Sequence, residues 1–312
     1  QLINTIDDLN MDSVALTEHG NMFSLLPYYK AAKKAGIKPI VGCEIYVAVG
    51  SRFEKKTTTE YGWGNNHLIL LAQNYTGYKN LMKLVTAGYL EGFYYRPRVD
   101  IDLLRKYNEG LICMSACLKG EVPEKMLKGD YEGAKEAALR FAEIFPDRYY
   151  LEIQNHGIPE EEANIINMKK LAADLDLPLV CTNDAHYAKK SHWEAHDIHI
   201  CLGTGKERSD PNRLRYATPE FYFKTQDEMH TLFKEFPQAI ENTRKISDSI
   251  DVELKMGEYH LPNFPIPSDS PTQDSDEYLK MLTQSGAELL YGEITPIIQK
   301  QIDHELLVIR NM

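Results

Sequence analysis

The sequence has no long apolar run. Its longest stretches, such as Leu68–Ala72, fall far short of the roughly 18 residues needed to cross a bilayer. No basic segment leads into an apolar one near the start, so no secretory signal is expected. There is no Cys-x-x-Cys pair: five cysteines, at 43, 113, 117, 181 and 201, form an odd, dispersed set. That argues against both a disulfide framework and a zinc ribbon. Base is not in excess either. With 35 Lys and Arg against 46 acids the formal charge is -11, so the chain does not clamp nucleic acid by net charge. If phosphate is handled, positive charge must come from local Arg and Lys or from bound metal. Internal repeats and low-complexity tracts are also lacking. These exclusions lead to the expectation of a soluble, cytoplasmic protein with no membrane partner.

What is present is alternation. The 312 residues suit about two domains, although a single (β/α) barrel can also be this long. Strand-like runs recur at Ser13–Thr17, Pro39–Ala48, His67–Ala72, Leu111–Ser115, Tyr149–Gln154 and Pro178–Thr182. Helical patterns at Ser24–Ala35, Tyr78–Leu90, Tyr131–Ile144 and Glu160–Ala173 lie between most of them. A mostly parallel sheet with α/β architecture is therefore expected. After about residue 205 the pattern changes to a charged loop, Lys206–Arg215, and a long helical stretch around Gln226–Ser249. Next comes a segment from His260 to Pro271 with four prolines, which should be an extended connector. Asp276–Tyr291 and Thr295–Asn311 read as two closing helices. Residues 2–9 read as an amphipathic helix running into the first residue, and the last helix stops without a cap; both ends are expected to continue beyond this chain.

The chemistry-bearing residues cluster at strand ends. His19 follows the first strand, Glu44 lies past Gly42-Cys43, Cys117 follows the fourth, and Asp184 and His186 follow the last. In parallel α/β folds side chains beyond the carboxyl ends of strands converge. His67 is the exception: it precedes its apolar run, so its strand either starts earlier or enters from the opposite direction. Imidazole, carboxylate and thiolate are the ligands of zinc and similar divalent ions. More than four of them would suit a multinuclear site acting on phosphate. Taken singly, each has a plainer reading: a hydrogen-bonded loop histidine, a turn-capping Asp184, a small buried Cys117. On position alone both accounts stay open. His192, His196 and His199 share one helical face but lack the Glu of a His-Glu-x-x-His pattern, and read as a polar face. Tyr94-Tyr95-Arg96-Pro97-Arg98 sets two guanidiniums among aromatics, either as an exposed turn or as a grip on phosphate or base.

Leu16-Thr17-Glu18-His19-Gly20-Asn21-Met22, followed by Tyr29–Glu44, resembles the polymerase-and-histidinol-phosphatase (PHP) domain that opens the bacterial replicative C-family DNA polymerases. The likeness continues through His67–Asn74, Gly92–Asp100, Ser115–Leu118, Gly157–Pro159 and Thr182–Tyr187, and covers nearly the whole chain. The resemblance implies a distorted (β/α)7 barrel over residues 1–255, a Pro-rich connector over 256–275, and helices opening a polymerase module over 276–312. It implies a metal-dependent phosphoesterase, described as a 3′–5′ exonuclease, holding zinc or manganese. Six ligand positions match: His19, Glu44, His67, Cys117, Asp184 and His186. Three more, a His-x-His pair and an Asp on the barrel's first strand and loop, are expected ahead of Gln1. Glu18 stands where the family often has Asp, a minor departure. Arg96 and Arg98 are carried as substrate-binding residues. The polymerase carboxylates and their magnesium are expected downstream of Met312, so no polymerase activity is expected here. DNA, a sliding clamp and a proofreading subunit are the implied partners. The competing reading is a non-catalytic scaffold that stabilises the polymerase or docks the proofreading subunit.

Overall fold

Residue 38 onward shows how one strand organises the sheet. In the computed structural model, which describes residues 1–56, 64–259 and 262–312, β2 (Lys38–Ala48) runs for 11 residues and is buried along almost all of them. On one edge its first part pairs in parallel with β1 (Ser13–Leu16) and its last part with β4 (Arg98–Val99). On the other edge it pairs antiparallel with β3 (Asn65–Ala72). The sheet continues β3, β5 (Leu111–Met114), β6 (Tyr149–Ile153), β7 (Leu179–Cys181). Among the described residues, four of the six strand pairings are parallel, and both antiparallel ones involve β3.

The connections follow from the helix signals. α1 (Leu2–Asp8) leads into β1, and α2 (Leu25–Lys34) makes the crossover to β2. Parallel strands need such a crossover. β2 and β3 are joined without a helix among the described residues, which leaves β3 to return antiparallel. α3 (Tyr75–Leu90), α4 (Ile101–Lys106), α5 (Glu121–Leu127), α6 (Tyr131–Ile144) and α7 (Pro159–Leu175) follow in order. Asn74, Asp100 and Asp130 cap α3, α4 and α6 by accepting a backbone N–H two or three residues into each helix. Past β7 come α8 (Trp193–Thr204), α9 (Gln226–Leu232) and α10 (Pro237–Ser249). The single helix expected over Gln226–Ser249 is thus two. Pro237 has no N–H to continue α9 and instead opens α10 at its first turn.

One apolar core runs through this unit, from Ile6 and Val14 through Leu70, Leu84, Phe141 and Leu151 to Leu254. Side chains of β1, β3, β5 and β6 line a single cavity of about 550 Å³, so the sheet curls around it. The expected distorted (β/α)7 barrel takes this form: seven strands, helices outside, and a path that ends at β1 and β7.

The chain divides into two compact units, Gln1–Leu254 and Lys255–Met312. In the second, residues 262–267 are free of helix and strand; His260 and Leu261, within the expected Pro-rich connector, lie outside the described residues. Helices α11 (Ser275–Tyr291) and α12 (Pro296–Arg310) follow, capped by the side chains of Asp274 and Thr295.

Candidate metal centre

His19 and Glu44 are brought together by the backbone. The β1–β2 pairing continues past Leu16 as a parallel bridge between them, with Glu44 N–H donating to Glu18 O and Gly20 N–H to Glu44 O. Gly20 has φ +68°, and a Cβ there would lie 2.8 Å from Pro97 Cγ and 2.9 Å from a Tyr46 ring carbon. Only glycine turns the chain there without displacing them. Gly42 is similarly confined, since a Cβ would meet Leu71 Cδ2 at 2.6 Å and Thr17 Cγ2 at 2.8 Å. Glu18, the departure from the family pattern, holds the start of α2 through Ser24 N–H and Oγ.

His67 comes from the opposite direction. β3 starts at Asn65, earlier than the sequence pattern suggested, and runs antiparallel, so its first residues lie beside the carboxyl end of β2. His67 faces Tyr46 in register, and Glu44 faces Ile69. Glu44 and His67 are therefore diagonal neighbours on one face.

Glu44 is 4% exposed, and among the described residues its Oε1 finds no hydrogen-bond donor. His19 Nε2 stands 3.5 Å from that oxygen, and His67 Nδ1 presses against it without hydrogen-bond geometry. An orphaned buried carboxylate oxygen costs roughly 1–3 kcal/mol or more. Among the described residues, His19, Glu44 and His67 form the group whose ligand atoms all lie within 4.8 Å of one another. Cys117 Sγ lies 3.7 Å from His67 Nδ1. Asp184 and His186 form the opposite side, 3.4 Å apart, and the His186 ring stacks on His19 at 5.7 Å between centroids. All six expected residues thus face one mouth of the sheet. A buried carboxylate with imidazole and thiol groups gathered around it is a donor set that fits a divalent cation.

The electrostatics agree with that fit. Burial holds His19 below its ordinary value, with Glu44 opposing, which favours the neutral, ligating imidazole. Burial, reinforced by Glu44 and Asp184, pushes the Cys117 thiol well up, so a cation is what would favour its thiolate. Burial pushes Asp184 upward too, but the hydrogen bond and charge of His186, with His156 and His19 behind, hold its carboxyl below the usual value.

Two expectations at the arginine loop part company. Arg98 is 2% exposed, and its guanidinium donates to the carbonyls of Gly92, Arg52 and Glu54. A side chain spent on three backbone acceptors holds its own loop and cannot meet substrate, which corrects that assignment. Arg96 is exposed and lies over the Tyr46 ring, itself packed edge-on against His67. His192 ends a short 3-10 turn, and His199 is exposed on α8, as a polar face requires. His196, however, packs within 6 Å of the His186 and Tyr216 rings.

Several residues of the site escaped the sequence reading. Tyr216, beyond the charged loop, hydrogen-bonds His186 through its hydroxyl at 3.1 Å. Glu152 and Gln154 line the cavity from β6 and the segment beyond it. A signal existed: Glu152, Gln154 and His156 are polar residues at alternate positions in and after an apolar strand.

Comparison with known proteins follows the same lines. The PHP domain family model matches residues 1–156, half of the chain, from α1 past β6. DNA polymerase III subunit alpha of Borreliella burgdorferi is 45% identical over 312 residues, all of this chain and 27% of that protein. That of Treponema pallidum is 42% identical over 313 residues, all of this chain and 26% of its own. The Thermus aquaticus protein is 39% identical over 93% of this chain and 24% of its own. The chain spans about a quarter of the length of these relatives. A barrel mouth that gathers histidines, carboxylates and a cysteine, and a family match that takes in His19, Glu44, His67 and Cys117, lead to one conclusion: the chain belongs to the PHP domain family.

Proposed function

We propose that the chain is the N-terminal PHP region of a DNA polymerase III alpha subunit, and that its barrel mouth is a metal-dependent phosphoesterase site acting on DNA 3′ ends. The observation that carries this reading is Glu44 Oε1, buried, without a hydrogen bond, and faced by two imidazoles. His19, Glu44, His67, Cys117, Asp184 and His186 would hold the ions, zinc or manganese. When bound, such ions clamp a phosphate and lower the pKa of a water.

The chain's own residues supply the rest. His19, with its pKa lowered by burial, is neutral near pH 7 and available as a donor. Tyr216 offers a hydroxyl beside His186, where it can orient a phosphate oxygen or water. Arg96 at the rim gives a negatively charged strand the positive charge that the chain as a whole lacks. Residues 276–312 are assigned to the start of the polymerase module, with the polymerising carboxylates and their magnesium outside this chain. DNA, the sliding clamp and a proofreading subunit are the partners this reading implies, and the cytoplasm its location. Among the described residues no helix is long and apolar enough to cross a membrane.

The test is elemental analysis of the full polymerase subunit, then nuclease assay with and without chelator. His19→Ala or Asp184→Ala is expected to abolish metal-dependent cleavage. Retained metal in the double variant overturns the site, and retained metal without cleavage leaves the scaffold role. Primer extension by the 312-residue chain alone would overturn the assignment to this region.

A further inference from the structure

β6 lies between β5 and β7, paired in parallel with both. It is therefore the strand from which side chains reach both the loop after β5, which carries Cys117, and the loop after β7, which carries Asp184 and His186. Each loop contains a non-glycine residue in the left-handed region: Ala116 with φ +63° and Asp184 with φ +38°. Such residues persist only where their surroundings hold them.

The hold comes from alternate positions along β6 and the residues following it, which share a face. Glu152 Oε2 accepts the Ala116 N–H at 3.0 Å, and its Oε1 accepts from Thr182 Oγ1 and from Gln154 Nε2 at 3.1 Å. Gln154 Nε2 also donates to Thr182 Oγ1 at 3.1 Å. Farther on, His156 Nε2 donates to the carbonyl of Asn183, the residue before Asp184, at 2.9 Å. The His156 ring is fixed in turn: Nδ1 meets Glu161 Oε1 at 2.6 Å, and the ring stacks on Phe221 at 3.9 Å between centroids. His156 and Glu161 are a buried pair, 1% and 4% exposed. None of these groups belongs to the six expected ligands.

We propose that the polar stripe Glu152–Gln154–His156, with Glu161 behind it, is a positioning element that sets the Cys117 and Asp184–His186 loops for cation binding. The inference rests on the cation-centre reading above. The stripe works by holding two strained loops at once, so that a loosened contact on β6 is felt at ligands it does not touch. Partners behind metal ligands characteristically change affinity by about 10- to 100-fold when removed.

Thr182→Val deletes one hydroxyl without changing charge; adding or removing charge near the site would alter cation affinity by itself. His156→Gln with Glu161→Gln exchanges the buried pair for two amides. Aqueous Co²⁺ is titrated into the 312-residue chain and into the polymerase-length polypeptide. Binding is read from the visible spectrum and the thiolate charge-transfer band of Cys117, with circular dichroism reporting the fold. Ile144→Val in α6, a core truncation away from the site, is the control. Both site variants are expected to bind Co²⁺ at least tenfold more weakly and to lose thiolate intensity, while Ile144→Val lowers only the unfolding midpoint. Folded variants with affinity within twofold of wild type and an unchanged spectrum overturn the inference. If the double variant does not fold, Thr182→Val decides alone. Wild-type protein that takes up no Co²⁺ in either form removes the cation reading itself, so the two failures are distinguishable.

Discussion

His67 and Glu44 meet across an antiparallel strand pair two residues out of register, and the imidazole lies against a carboxylate oxygen that accepts no hydrogen bond among the described residues. Burying that oxygen without a partner costs stability that a cation would restore. On the proposed reading, the centre trades stability for binding.

Glu44→Gln should separate the two. With chelator present the variant is expected to be more stable than wild type, by about 1 kcal/mol, because an uncompensated buried carboxylate is gone. Cation uptake should be lost. Urea unfolding with chelator and a Co²⁺ titration check the pair of outcomes; a variant less stable than wild type with full uptake contradicts the account.

Gly20→Ala places a Cβ against Pro97 and Tyr46 at positive φ. Destabilisation of about 1–3 kcal/mol is expected, together with weaker cation binding, because His19 precedes the displaced turn. The same substitution at Gly36, also at positive φ but with nothing within 4 Å of an added Cβ, should cost less and leave binding alone. Equal effects at the two positions would remove the steric argument.

Burial, with Asp184 and Glu44 adding to it against hydrogen bonds from Thr182 and Gln154, raises the Glu152 carboxyl from the usual 4.5 to about 7. The folded chain thus keeps a proton that the unfolded chain releases near 4.5. The stabilisation is complete below that pH and is lost as pH rises through about 7. Relative to Glu152→Gln, metal-free wild type should lose on the order of 3 kcal/mol between pH 4.5 and pH 8. Urea unfolding at stepped pH measures it, and parallel curves for the two proteins rule it out.

The two arginines should behave oppositely. Arg98→Met leaves three carbonyls short of a donor and is expected to cost about 2–4 kcal/mol. Arg96→Ala should change stability by less than about 0.5 kcal/mol, weaken binding of single-stranded DNA and reduce its salt dependence by about one phosphate contact. Filter binding across a salt series distinguishes them.

Much of this protein is decided locally. Apolar runs and 3.6-residue periodicity place β1, β2, β5 and β6 and helices α2, α3, α6 and α7 within a few residues, because burial of one face depends on spacing that neighbours in the chain already set. The same spacing puts His19, Cys117, Asp184 and His186 just past strand ends, whereas Glu44 lies within β2. Tertiary structure decided the rest. Strand direction is not encoded in a strand's own pattern, so only the sheet shows that β3 enters reversed and carries His67 to the mouth. Whether an arginine meets solvent or three carbonyls depends on how a loop folds back, which separates Arg98 from Arg96. Tyr216 and the Glu152–Gln154–His156 stripe gain their meaning from contacts 27 to 36 residues away; alternation marks the stripe as polar, but its partners are set by the tertiary fold.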